Sequence, residues 1–150
     1  MCAVPVPAAE DLAAMDLAND TQAALEKNYA LRISIRKRAN AREAATKDQL
    51  DVTIKNTKEQ IQSDMTSKFR AVTEAQATCT QDDLNVGNLQ NTYDKTARSF
   101  ALGSASEREL ETAQYNLDMA KISQQKNDYA LAQAYLNYQN AANGLAASEG

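Results

Sequence analysis

From Ala8 to Gly150 the chain contains no proline, and before the terminal Gly150 only Gly87, Gly103 and Gly144 interrupt it. A backbone with so few breakers, rich in Ala, Leu, Gln, Glu and Lys, can be helical almost everywhere and has few places to turn. Both prolines, Pro5 and Pro7, stand in the opening MCAVPVPAAE. Residues 1–10 are therefore expected to be extended, and a helical domain is expected over 11–148. Aromatic residues make up only 5% of the chain, too few large side chains for a thick core. The expected fold class is all-α, built from thin helix-on-helix seams.

Between Asp11 and Lys27 the pattern is helical, with Leu12, Met15, Leu17 and Leu25 as its apolar members. Asp20 or Thr21 is suited to cap a second short piece, and Asn28 to close it. From Tyr29 to Leu102 no strong stop signal occurs, so one long helix is expected over about 29–101. With neither Gly nor Pro near Thr46 to Asp51, that helix is expected to run straight through, spanning about 110 Å at about 1.5 Å per residue.

The heptad pattern carries more information. Met65, Val72, Cys79, Val86, Tyr93 and Phe100 follow one another at intervals of seven. Ile54, Ile61, Ala75 and Leu89 supply most of the complementary positions, and Lys68, Asp82 and Thr96 are defects in them. Repetition sustained this long predicts a coiled-coil seam. Further on, Leu110, Leu117, Leu131, Tyr138 and Leu145 hold one heptad position, with Gln124 the exception. Ala113, Ala120, Ala134 and Ala141 hold the position three residues on, with Asn127 the exception. A second stripe, Tyr115, Ile122, Tyr129 and Leu136, repeats by seven on a neighbouring face. A helix with two apolar stripes has two neighbours, which points to a bundle or a self-assembled wall of helices.

Between the two patterns lies Leu102-Gly103-Ser104-Ala105, the expected turn of a long antiparallel hairpin. Gly103 can take the positive φ that ends a helix. Ser106 and Glu109 form the S-x-x-E capping box that starts a return helix over about 106–146, and Ser104 with Glu107 offers the same pattern two residues earlier.

The search for chemistry is short. Histidine and tryptophan are absent, so His-based acid–base pairs, Cys/His metal spacings and Ser-His-Asp arrangements cannot form. No glycine-rich phosphate loop occurs. Carboxylate pairs such as Glu107 with Glu111 or Asp82 with Asp83 read as solvated helical charge. No catalytic, cofactor-binding or metal residue is expected, and the chain is not expected to be an enzyme. A net charge of −4 argues against a general nucleic-acid binder. The one basic cluster is Ile35-Arg36-Lys37-Arg38-Ala39-Asn40-Ala41-Arg42. It reads either as a solvated helical stretch or as a contact for an anionic surface.

No stretch of about 18 apolar residues is present, so no transmembrane helix is expected. Met1 to Asp11 has neither the charged nor the apolar region of a signal peptide. Cys2 would suit lipid attachment only if a leader were cleaved just before it. Cys79 reads as a small apolar seam residue rather than half of a disulfide.

The run from Leu102 to Leu145 resembles the second-repeat tip and returning helix of the TolC-type outer-membrane efflux proteins. The elements that carry the resemblance are Gly103, Ser106, Glu109, Leu110, Tyr129 and Gly144-Leu145. The preceding helix, Ile61 to Phe100, is similar in length and seam, and Leu25 to Leu31 resembles the family's AL-x-x-N-x-x-L pattern. Together these span roughly residues 11–146. The resemblance implies a duct component of the cell envelope, located at the outer membrane and in the periplasm. In that family, trimers assemble helical hairpins side by side into an α-barrel. It also implies a homo-oligomer whose hairpin tips meet a periplasmic adaptor (membrane fusion) protein, linked to an inner-membrane pump. Leu102, Gly103, Ser104 and Ser106 would then form the docking tip. The chain departs from the family in carrying one repeat rather than two. It also has no membrane-length strands near residues 43–55, EAATKDQLDVTIK, and so resembles a strand-less or half-length member. The competing reading is a coiled-coil scaffold or adaptor hairpin with no transport role.

Overall fold

In the computed structural model, which describes residues 6–145, all regular structure among the described residues is helical. Five helices follow one another: α1 (Ala9–Ala13), α2 (Leu17–Lys27), α3 (Tyr29–Asn40), α4 (Ala44–Ala101) and α5 (Glu107–Ala142). Cys2 lies outside the described residues, as do residues 146–148 of the expected domain.

The helix boundaries follow from local hydrogen bonding. The opening segment is shorter than expected, because α1 already starts at Ala9. The cap of α2 is Asp16 rather than Asp20 or Thr21. Its carboxylate accepts from the amides of Ala18 at 3.0 Å and Asn19 at 3.2 Å, satisfying donors that a helix start leaves bare. Asn28 serves two helices. Its amide donates back to Ala24 O at 3.0 Å, and its side-chain oxygen accepts from Leu31 N at 2.9 Å. One residue thus closes α2 and opens α3.

The expected helix over 29–101 is not continuous: it breaks at residues 41–43, where Ala41 is extended (φ −67°, ψ 136°). None of Ala41, Arg42 and Glu43 forbids helix, so local propensity does not account for the break. Arg38 donates from Nε and Nη2 to the two carboxylate oxygens of Asp51, at 2.6 and 2.9 Å. In an unbroken helix these residues, thirteen apart, would be separated by about 20 Å along the axis. Only a chain that folds back between them can make this pair.

The described chain divides into two compact units. In the unit formed by Pro7–Val72 and the residues from Gln133 onward, the core is Ala24, Leu31, Met65, Val72, Tyr138 and Ala141, all buried. The Tyr138 ring lies 6.0 Å from that of Phe69, and its hydroxyl donates to Asp20 at 2.5 Å. Burial, reinforced by the Asp20 carboxylate, holds that phenol in its protonated form. The close of α5 packs against the end of α2. Gly144 has φ 75°, and a β-carbon there would stand 2.8 Å from the backbone carbonyl carbon of Lys27.

In the other unit, whose body is Thr73–Ala132, the buried residues are Ala113, Leu117, Ala120, Leu131 and Ala132, all from α5. The seam residues Cys79, Val86 and Tyr93 of α4 are half-buried. Alanine at every other layer allows close approach between helices. The threonines of α4 turn their hydroxyls back onto the preceding turn, as Thr78 does to Glu74 O at 3.0 Å and Thr92 to Asn88 O at 2.9 Å. This keeps a β-branched, hydroxylated residue compatible with helix.

Candidate interaction surface

The turn between α4 and α5 is built as its residues predict. Gly103 has φ 73°. Ser104 N donates to Ser99 O at 2.8 Å and Gly103 N to Phe100 O at 2.9 Å, the paired bonds of a Schellman close. Ser106 N donates to Glu109 Oε2 at 2.7 Å, while Glu109 N donates to Ser106 Oγ at 3.3 Å, completing the capping box. The Ser106 bonds hold the Glu109 carboxyl below its ordinary range. Of the four tip residues, Ser106 is committed to this cap. Leu102 is 82% exposed and presents a large apolar side chain to solvent, with Gly103 and Ser104 exposed beside it.

Two turns along, Tyr93 of α4 and Leu110, Gln114, Tyr115 and Asp118 of α5 line an open groove of about 420 Å³. From there an apolar stripe runs along the outer face of α5. Tyr115 (63% exposed), Met119, Ile122 (59%) and Tyr129 lie on it, while Leu117, two residues from Tyr115, is 2% exposed. Within α5 the first stripe is covered or half-covered, and only Leu145, past the helix end, is exposed. The second stripe is left open by the described residues. Met119 extends it one turn beyond Tyr115, a position visible in the sequence at i+4 but not read there.

Two of the irregularities in the heptads, Asp82 and Asn127, are partners, and Gln124 is bonded across the same pair of helices. Asn127 Nδ2 donates to Asp82 Oδ2 at 2.6 Å, and Gln124 Nε2 donates to Asp83 Oδ1 at 2.6 Å. Lys121 Nζ reaches Gln90 Oε1 at 3.4 Å. Partner numbers fall on α4 as they rise on α5, and at Asp82 and Asn127 a polar residue that interrupts one helix meets one that interrupts the other. The remaining two defects are also accommodated: Lys68 pairs with Asp64 one turn back, and Thr96 donates to Thr92 O at 2.9 Å. Cys79, close to Asp128, is a free thiol. Burial first, then the Asp128 charge, pushes its pKa up to about 11.

Among the described residues no group of three His, Cys, Asp or Glu side chains is placed to hold a metal ion, and no helix is long and apolar enough to cross a membrane. The surfaces with chemical content are thus the exposed tip, the outer stripe of α5 and the basic helix α3. Comparison with family models, with curated proteins and with solved structures returns no match.

Proposed function

We propose that this chain is a non-catalytic wall element of an efflux or secretion duct of the cell envelope. In this reading α4 and α5 form an antiparallel coiled-coil hairpin that packs against copies of itself, and its tip docks a periplasmic adaptor. The observation that carries it is the outer stripe of α5: Tyr115, Met119, Ile122 and Tyr129 are exposed on a helix whose other stripe is already covered. Exposed apolar residues at heptad spacing on a helical face are what a neighbouring helix of the same kind would cover. The exposed Leu102 beside the Gly103 turn supports the docking role, and the resemblance of Leu102 to Leu145 to the TolC-type tip supplies the duct.

Light scattering on the purified chain tests the assembly, with a closed ring of three or six subunits expected. For the tip, Gly103→Leu is expected to abolish binding to an adaptor encoded in the same genome while helicity stays unchanged. Unaltered binding by this variant would refute the tip assignment. The alternative, a scaffold hairpin with no transport role, draws on the polar pairs of Asp82 and Asp83, which fasten the two helices to each other without any neighbour. A monomer at all concentrations would favour it.

A further inference from the structure

The duct reading leaves α3 unused. From Lys27 to Arg42 the chain carries Lys27, Arg32, Arg36, Lys37, Arg38 and Arg42 and no acidic residue, although its net charge is −4. Two of these cations are occupied: Lys27 donates to Asn143 at 3.0 Å, and Arg38 is held by Asp51. The side chains of Arg32, Arg36, Lys37 and Arg42 form no hydrogen bond or ion pair with the described residues. The negative end of the α3 dipole accounts for cations in the last turn, Lys37 and Arg38. It does not account for Arg32 and Arg36, which stand one turn apart and repel each other.

Basic and apolar side chains stand together in their setting. Tyr29, Arg32, Arg36 and Asn40 succeed one another at spacings of three and four, and Ile33 and Lys37 lie one position on, so all share one side of α3. Tyr29 is 74% exposed. That side borders an open groove of about 630 Å³ where Ile33, Arg36 and Lys37 face Thr46, Leu50 and Thr53 of α4, with no acidic side chain in its lining. Unpaired guanidinium groups beside an exposed aromatic ring and apolar side chains match the layered chemistry of a membrane interface, with phosphates above and acyl chains below. A nucleic-acid backbone would have no use for the apolar half.

We propose that this face of α3 and its groove bind an anionic phospholipid surface. Arg32, Arg36 and Lys37 engage lipid phosphates, and Tyr29 and Ile33 enter the headgroup layer. The inference stands whether or not the chain forms a duct.

Co-sedimentation of the full chain tests it, using phosphatidylcholine vesicles with and without about one-third phosphatidylglycerol. Binding is expected only to the anionic vesicles, and it should weaken between about 0.05 and 0.3 M salt. The double variant Arg36→Gln/Lys37→Gln should bind about 30-fold more weakly, at about fivefold per lost cation. Lys95→Gln/Arg98→Gln, which removes the same charge elsewhere, should retain binding, and circular dichroism checks that each variant is folded. Ile33→Ser should weaken binding with the charge unchanged. Equal binding to neutral vesicles, or wild-type binding by the Arg36/Lys37 variant, overturns the proposal. So does an equally Arg36-dependent affinity for duplex DNA, or vesicle binding displaced by an acidic Glu10–Glu26 peptide of this chain.

Discussion

Asn127 of α5 donates its side-chain amide to the carboxylate of Asp82 of α4 at 2.6 Å, in a partly buried position where both helices depart from their apolar pattern. Removing one partner leaves the other desolvated and unpaired, whereas removing both leaves nothing to satisfy. Asp82→Ala and Asn127→Ala should each lower stability by about 1–2 kcal/mol. Asp82→Ala/Asn127→Ala should lose clearly less than the sum of the two single effects. Urea unfolding of the four proteins measures this as a coupling, and simple addition of the single effects would show that the pair does not act as a unit.

This pair also marks where the sequence could be read and where it could not. Gly103 and Ser106–Glu109 act through bonds no more than five residues apart, so the turn was legible from its own residues. Asp82, Gln124 and Asn127 stood out as irregularities, but periodicity along one helix says nothing about which irregularity faces which. Folding about the turn is what brings them together. The break at residues 41–43 was illegible because no residue there opposes helix. Across it Arg38 meets Asp51, and in sequence those two are ordinary surface charges. Asp16 is not distinguishable by sequence from Asp20 and Thr21, equally good cap types nearby. The outer stripe was visible as a periodicity, and the structure adds that none of the described residues covers it.

The three internal glycines should respond differently to alanine. At Gly87 a β-carbon meets nothing within 4 Å and the backbone is helical, so Gly87→Ala should stabilise by about 1 kcal/mol. At Gly103 there is also open space, but φ is 73°, and Gly103→Ala should cost about 1–2 kcal/mol in backbone strain alone. Gly144→Ala adds a collision with the Lys27 backbone to the same strain and should be the most damaging. Thermal unfolding of the three variants gives the order, and a Gly144 variant as stable as wild type would contradict the packing of α5 on α2.

Acid should act on the α5 cap. The Ser106 amide and hydroxyl lower the Glu109 pKa below its ordinary value of 4.5. A carboxylate with a depressed folded pKa contributes stability that is complete above the unfolded value and lost as pH falls through the folded one. The melting-temperature gap between wild type and Glu109→Gln should therefore be constant above about pH 5 and close in stronger acid. A gap that persists at pH 2 would mean the carboxylate charge is not what the cap uses.

Cys79 should be a sluggish nucleophile. With its thiol pushed up to about 11 by burial and the Asp128 charge, little thiolate exists near neutrality. In a Cys2→Ser background, iodoacetamide should label the native protein far more slowly at pH 8 than the urea-unfolded chain. Asp128→Asn should speed labelling of the folded form. Equal rates in folded and unfolded protein would contradict the placement of Cys79 in the seam.

The central claim is that copies of this chain cover one another's outer α5 stripe, and the mass of the particle in solution tests it most directly. Multi-angle light scattering of the intact chain is expected to give a closed three- or six-subunit species. Tyr115→Ser/Ile122→Ser/Tyr129→Ser, which alters only exposed positions, is expected to run as a folded monomer. A wild-type chain that stays monomeric up to millimolar concentration, or a triple variant that assembles unchanged, would contradict the account.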